Sequence, residues 1–448
     1  MRKIVYVSMF FFLAFSRPVA AQVPPALETE FQQIIEAVLV DPGVKGIAAC
    51  IIMPDNSVWT GQAGGNGSGT GITDTTVFYG GSTTKTFVAT RILQLWEDGL
   101  INLDTTYTAY LDTIAFVLPE TTIRQLLSHT SGVFDYDENP FYFIDLYYNP
   151  AQFYTPAGIL QKWVNQPHVF APGTAYAYSN TNYVILGMVV EAITGNPLAE
   201  ELRNHVYNQV PVYHTYFGAY ESFTEPYCGL WMLDGSTLVD YTYYPHTALL
   251  SSAYAAGNIV THPLDEALFI RHLINGNILS GAALSEMLTL NPFSNDYGLG
   301  IIGIEFAQDT LLYGHNGGIG NLTDMFHCPQ LNLTVVVMQN SENGTTAVFN
   351  NLFVSAWQAI VASVEEPLPA TAGFTIFPNP AHDYVNISLP AVDPNTSVEI
   401  CSLSGEVVER LTPGDAVVQA DISHYRAGCY FVLLRSGERT VRLRFIKL

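Results

Sequence analysis

The chain has 448 residues, 48% hydrophobic and only 13% charged, which excludes a disordered chain and a lone small domain. Its formal net charge is −23, and a surface of that sign repels phosphate backbones, so nucleic acid is excluded as a partner. The acidity is uneven: residues 374–448 hold eight acidic and seven basic side chains, whereas residues 22–373 hold 32 acidic and seven basic ones.

Arg2 and Lys3 precede an apolar run over residues 4–15, and Val19-Ala20-Ala21 forms a small-residue cleavage site. This pattern predicts a signal peptide over residues 1–21. The run is too short to span a membrane, Arg17-Pro18 closes it, and no later stretch predicts a transmembrane span. Strands are predicted over 44–53 and 57–63, joined by a Pro54-Asp55-Asn56 turn. The glycine-rich loop at 64–70 lacks the Gly-Lys-Ser/Thr ending of a phosphate loop.

Gly80-Gly81-Ser82-Thr83-Thr84-Lys85 then runs into a segment with helical apolar spacing, Phe87, Val88, Ile92, Leu95 and Trp96. If Ser82 opens that helix, its hydroxyl lies near the positive end of the helix dipole. Lys85, three residues on, shares its face, which is the arrangement of a serine nucleophile with a neighbouring base. A serine cap followed by a surface lysine has the same spacing. The chain's only lysines are at 3, 45, 85, 162 and 447, which makes a chance pairing rarer.

Helices are predicted over 123–127 and 183–194, the second stopped by Gly195 and Pro197. Ser128-His129-Thr130-Ser131-Gly132 reads as a helix-ending turn held by local hydroxyl bonds, not as a second serine–histidine pair. Tyr and Phe are dense over 134–154 and 213–244, where core packing accounts for most of them and a substrate cleft is the alternative. Strands are predicted over 297–304, 309–313, 321–327 and 333–339, and the last three flank His315, which puts His315 and Gly317 on or beside a sheet edge. A Pro-rich linker follows, and then short alternating strands to the end predict a small Ig-like β-sandwich. Five cysteines at wide spacing argue against a disulfide scaffold, with Cys401 and Cys429 either paired or free buried thiols. No metal-ligand spacing is present and no cofactor is implied.

Ser82-Thr83-Thr84-Lys85, Tyr178-Ser179-Asn180 and His315-Asn316-Gly317, in that order, resemble the serine β-lactamase and penicillin-binding-protein superfamily. The branch resembled is that of class C enzymes, DD-peptidases and family VIII esterases. The phrases at 122–132 and 255–258 support the match, which covers residues 27–362. The resemblance implies an α+β fold: an antiparallel sheet flanked by helices, with a mostly helical region beside it and the active site between them. It implies Ser82 as nucleophile, Lys85 and Tyr178 sharing the base role, and Asn180 holding a substrate carbonyl or amide. The backbone N–H groups of Ser82 and Gly318 would form the oxyanion hole. A phenol near two cations is expected to lose its proton easily. His315 would contact substrate and donate towards Tyr178, and Gly317 would let substrate lie against its strand.

Histidine stands where many penicillin-recognising members carry lysine, which counts against β-lactam hydrolysis. DD-peptidase, D-amino-acid amidase and esterase activities remain open, on a small-molecule or peptide substrate. The rival of another class is an inactive, surface-displayed binding protein on the same scaffold.

Phe377-Pro378-Asn379-Pro380, Leu403-Ser404-Gly405-Glu406-Val407, Ala427-Gly428-Cys429-Tyr430 and the basic-apolar final strand resemble the C-terminal sorting domain of type IX secretion cargo in Bacteroidetes. That implies the type IX machinery as a partner and export through the periplasm to the cell surface or medium. The expected layout is a signal peptide at 1–21, a hydrolase domain at 22–362, a linker at 363–373 and a sorting domain at 374–448.

Overall fold

A computed structural model describes residues 22–365 and 375–447, apart from 42, 68, 235, 308–309, 380, 390–395, 403–406, 413–415, 426–427 and 437–438. The expected signal peptide and most of the expected linker lie outside the described residues.

The strand Gly46–Ile52 shows how the first domain is layered. All seven of its residues are buried, and successive side chains point to opposite faces. Ile47, Ala49 and Ile51 meet one core, with Phe31 and Ile35 of the Pro25–Ala37 helix and Phe349, Leu352 and Phe353 of the Ala347–Glu365 helix. Ala48, Cys50 and Ile52 meet the other core, with Phe87, Val88 and Ile92 of the Thr84–Glu97 helix. A strand buried on both faces reads as a continuous apolar run, and this one does.

It belongs to a six-stranded sheet. In spatial order the strands are Val58–Gly64, Gly46–Ile52, Leu333–Gln339, Leu322–Cys328, Thr310–Gly317 and Ile302–Ala307, every pair antiparallel. Both predicted N-terminal strands are present, and Asn56 turns between them with φ 65°. The strand predicted over 297–304 starts only at Ile302. Gly298 N bonds Ile301 O at 2.8 Å and Gly300 has φ 73°, so a tight turn occupies 298–301.

The helical region packs on the second face. The Ile123–Leu127 helix starts with a Thr122–Gln125 capping box, and the Asn180–Thr194 helix stops at Gly195 in the left-handed conformation. The nucleophile helix, Thr84–Glu97, is tied to the Leu198–His205 helix by a buried ion pair, Arg91 to Glu201 at 2.8 Å.

The Ala347–Glu365 helix runs three residues past the expected domain end at 362. From Thr375 the chain forms two antiparallel sheets of three and four strands. They enclose their own core of Val385, Ile387, Val398, Ile400, Ala420, Val432 and Leu434. This is the expected small sandwich. Cys401 is a free buried thiol, and the Cys429 side chain lies outside the described ones.

Candidate active site

Ser82 sits in a single 3₁₀ turn, Gly81–Thr83, that leads directly into the Thr84–Glu97 helix. It is therefore just ahead of the α-helix rather than its first residue. The turn is fixed by backbone contact with the sheet. A Cβ on Gly81, where φ is +57°, would lie 2.6 Å from Gly318 N, and one on Gly317 would lie 1.8 Å from Gly80 O. Only glycine fits at either place. The sheet offers this edge because the Ile302–Ala307 strand pairs with Thr310–Gly317 only as far as Gly314. His315 to Gly317 thus lie beyond the edge strand. Beneath the turn, Thr83 Oγ1 donates to Glu266 Oε1 at 2.5 Å, and burial pushes the Glu266 carboxyl up to about 8.

Lys85 is fully buried one turn further on. Its Nζ lies 3.0 Å from Ser82 Oγ, 2.7 Å from Asn180 Oδ1 and 2.6 Å from Ala256 O. It also lies over the Tyr178 ring, 4.8 Å from the centroid. Ser82 is among the groups that act on the Tyr178 phenol. The sequence-predicted residues Ser82, Lys85, Tyr178 and Asn180 are therefore brought together, and Ser82, Asn180 and Gly318 line one cleft of about 320 Å³.

Burial sets the protonation here. It pushes the Lys85 amine down to about 7, against the opposing pull of Asp135 and Asp137. It also pushes the Tyr178 phenol well above its ordinary value, outweighing the opposing influence of Ser82. The expectation of a readily formed phenolate is corrected: loss of solvent around Tyr178 outweighs the attraction of any neighbouring cation.

Asn180, Gly317 and His315 take the following places. Asn180 Oδ1 accepts from Lys85, and its Nδ2 donates to Asp135 at 3.2 Å and Asp137 at 2.9 Å, so its amide holds the lysine where it lines the cleft. At Gly317 the Gly80 carbonyl by itself leaves no room for a Cβ. His315 is only 2% exposed and pairs through Nε2 with Tyr297 Oη at 2.9 Å rather than with Tyr178. Burial pushes it down to about 3, so it is neutral at neutral pH.

Residues 31–355 match the beta-lactamase family, and residues 375–447 match the secretion system C-terminal sorting domain. The chain belongs to the beta-lactamase family. It carries a type IX sorting domain at its C-terminal end, which implies export to the cell surface or medium. Among its relatives is a putative penicillin-binding protein, PbpX, of Bacillus subtilis (strain 168), 31% identical over 228 residues, covering 50% of this chain and 53% of the relative. The chain thus spans about half the length of the curated relatives it matches. A D-stereospecific amidohydrolase from Streptomyces sp. superposes with TM-score 0.65 at 28% identity, covering 73% of this chain and 98% of the other. A D-amino acid amidase from Ochrobactrum anthropi SV3, complexed with L-phenylalanine amide, gives TM-score 0.65 at 26% identity, covering 75% and 99%. The family's relatives thus include hydrolases. No helix among the described residues is long and apolar enough to cross a membrane.

Within this family fold, two groups stand beside the motifs without belonging to them. The first is the Asp135–Asp137 pair: Asp135 Oδ2 accepts from the Asn180 backbone N–H at 2.9 Å, and burial, then Asp137, pushes its carboxyl up to about 8. The second is a buried chain of rings. The Ser179 N–H donates to His129 Nδ1 at 3.1 Å, which leaves the proton on His129 Nε2, 3.2 Å from Tyr297 Oη. His315 Nδ1 donates to Asn316 O at 2.5 Å, so its Nε2 accepts from Tyr297. Backbone groups at both ends fix the direction of the chain. The His129 ring lies 4.2 Å from the Tyr178 ring, so this chain forms the wall behind the phenol. Ser128 Oγ bonds Arg124 O at 2.8 Å and Thr130 Oγ1 at 2.9 Å, the helix-ending turn read from the sequence. The Asp135-Tyr136-Asp137 spacing is the only sequence signal for the first group, and nothing in the sequence pairs Tyr297 with either histidine.

Proposed function

We propose that this protein is an exported serine hydrolase that cleaves an amide or ester through an acyl-enzyme on Ser82. The observation that carries this reading is the 3.0 Å contact between Lys85 Nζ and Ser82 Oγ, made by an amine held near neutrality. With the amine neutral, its two protons stay on Asn180 Oδ1 and Ala256 O and its lone pair faces the serine hydroxyl. Lys85 takes the Ser82 proton as Oγ attacks the substrate carbonyl. The Ser82 and Gly318 N–H groups receive the developing oxyanion. Tyr178, kept as a phenol, passes a proton towards the leaving group. Water then adds to the acyl-enzyme, the same groups run in reverse, and Ser82 regains its proton.

The described residues lining the cleft include Asp137 and Glu342 and no lysine or arginine. Such a cleft favours a substrate with a free ammonium group and disfavours the carboxylate of a β-lactam or of a D-Ala-D-Ala terminus. D-amino-acid amides and esters are therefore preferred substrates, in keeping with the names of the two superposed structures. The test is a panel of D-alaninamide, its N-acetyl derivative, a D-Ala-D-Ala peptide, a short-chain p-nitrophenyl ester and nitrocefin. The expected order places the free-amine amide above its N-acetyl form and nitrocefin last. Efficient nitrocefin turnover with weak amide and ester turnover would contradict it.

The sorting domain serves delivery rather than catalysis. It has its own core and carries none of the site residues. A chain ending at residue 372 is expected to keep full activity in vitro and to remain in the periplasm of a type IX-competent host. Fractionation of such a strain checks this, and an inactive truncated enzyme would make the tail part of the catalytic unit.

A further inference from the structure

An apolar annex of about 380 Å³ opens beside the catalytic cleft. Its size falls within the ~300–1,000 Å³ of small-molecule sites. One wall is the Tyr142–Tyr148 helix, through Phe143, Leu146 and Tyr147, and the opposite wall is the hairpin of Trp231–Asp234 and Thr237–Asp240 with Tyr244 beyond it. Phe143, Met232, Leu249 and Glu342 line both the annex and the catalytic cleft, so the two are one continuous depression.

The walls are apolar and held in place. Phe143 and Tyr147 are each 58% exposed, Tyr244 50% and Leu233 42%, facing one cavity from two separate elements. Large apolar side chains left open on both sides of one cavity mark a binding surface. The hairpin is pinned to the chain after the Leu333–Gln339 strand. Trp231 N donates to Asn340 O at 3.1 Å, Glu342 N to Trp231 O at 2.9 Å, and Leu233 N to Glu342 Oε2 at 2.8 Å. His246, at the base, has both nitrogens engaged: the Tyr79 hydroxyl bonds Nδ1, and Nε2 donates to Tyr241 O at 2.9 Å. Glu342 is the only charged residue among the described annex lining, and it stands at the border with the cleft.

We propose that this annex is a specificity subsite that takes a bulky apolar, preferably aromatic, group of the substrate while the scissile carbonyl lies at Ser82. Continuity with the cleft decides for substrate over a docked protein, because a group entering the annex remains within reach of the nucleophile. The inference rests on the hydrolase reading and adds the substrate class to it. Removing a phenyl group from water in such a site favours it by roughly 10- to 100-fold over a methyl group.

The test uses two matched pairs on the full chain: D-phenylalaninamide against D-alaninamide, and p-nitrophenyl 3-phenylpropionate against p-nitrophenyl acetate. kcat/KM is measured on the wild type, and Kd of the amides on Ser82→Ala, where turnover plays no part. The phenyl member is expected to lead by at least about tenfold. Leu233→Trp, which fills the annex, is expected to abolish that lead, and Tyr147→Ala, which opens a wall, to weaken it, with the methyl substrates unchanged. No phenyl preference in either pair, or a preference that survives both substitutions, overturns the subsite. A binding preference on Ser82→Ala without any turnover by the wild type would overturn the hydrolase reading and leave the subsite standing.

Discussion

Lys85→Met is expected to lower kcat/KM by about 10²- to 10⁴-fold, the usual loss when a general base is removed. Methionine fills the same buried space without an amine, so circular dichroism and gel filtration are expected to match the wild type. The wild type carries a second signature. Lys85 acts as a base only when neutral, and its amine is held down to about 7. Activity is therefore expected to rise with pH up to that value and to level off above it. Lys85→Met is expected to remove this rise from whatever activity remains. A pH–rate profile of both proteins checks the two claims together, and an unchanged rise in the variant would give the limb to another group.

Glu201→Ala is the substitution with the largest expected effect on stability. The Arg91 and Glu201 side chains are 6% and 3% exposed, and Arg91 Nε donates to Glu201 Oε2 at 2.9 Å. Removing the carboxylate strands a guanidinium in the core, which costs about 3–5 kcal/mol. Asp104→Ala, at the exposed Arg124–Asp104 pair, is expected to cost at most ~1 kcal/mol despite a shorter contact of 2.6 Å. Arg91 lies on the same helix as Lys85, so loosening this pair is also expected to lower activity before global unfolding. Urea titration followed by fluorescence and by activity separates the two effects.

Much of the site was legible because its parts are local in sequence. Ser82 and Lys85 lie one helical turn apart, and Tyr178 and Asn180 flank one helix start, so each pair was legible as a local motif, and the family resemblance joined the two pairs. The Gly46–Ile52 strand was legible as a short continuous apolar run, buried through Ile47, Ala49 and Ile51 on one face and Ala48, Cys50 and Ile52 on the other. Residues joined only by tertiary packing were not legible. Tyr297 meets His129 and His315 across 168 and 18 positions, and no periodicity links them. The state of Tyr178 was misread for a related reason: a neighbouring cation is visible in a motif, but the depth of burial that outweighs it is not. Gly317 shows the same limit, since the close approach of Gly80, 237 positions earlier in the chain, is not visible in the sequence. The aromatic stretches divided as composition allowed. Tyr136, Tyr142 and Tyr154 entered the core, whereas Phe143, Tyr147 and Tyr244 line the annex.

If Ser82 is the nucleophile of an acyl-transfer enzyme, it reacts covalently with an acyl-transfer probe. Intact-mass analysis and peptide mapping after exposure to a fluorophosphonate probe read that reaction. One adduct is expected on the wild type, mapped to the peptide containing Ser82, slowed in Lys85→Met and absent from Ser82→Ala, which is otherwise folded. Equal labelling of the wild type and Ser82→Ala would contradict it and move the chemistry to another residue. No labelling of a folded wild type would favour the inactive, surface-displayed scaffold instead.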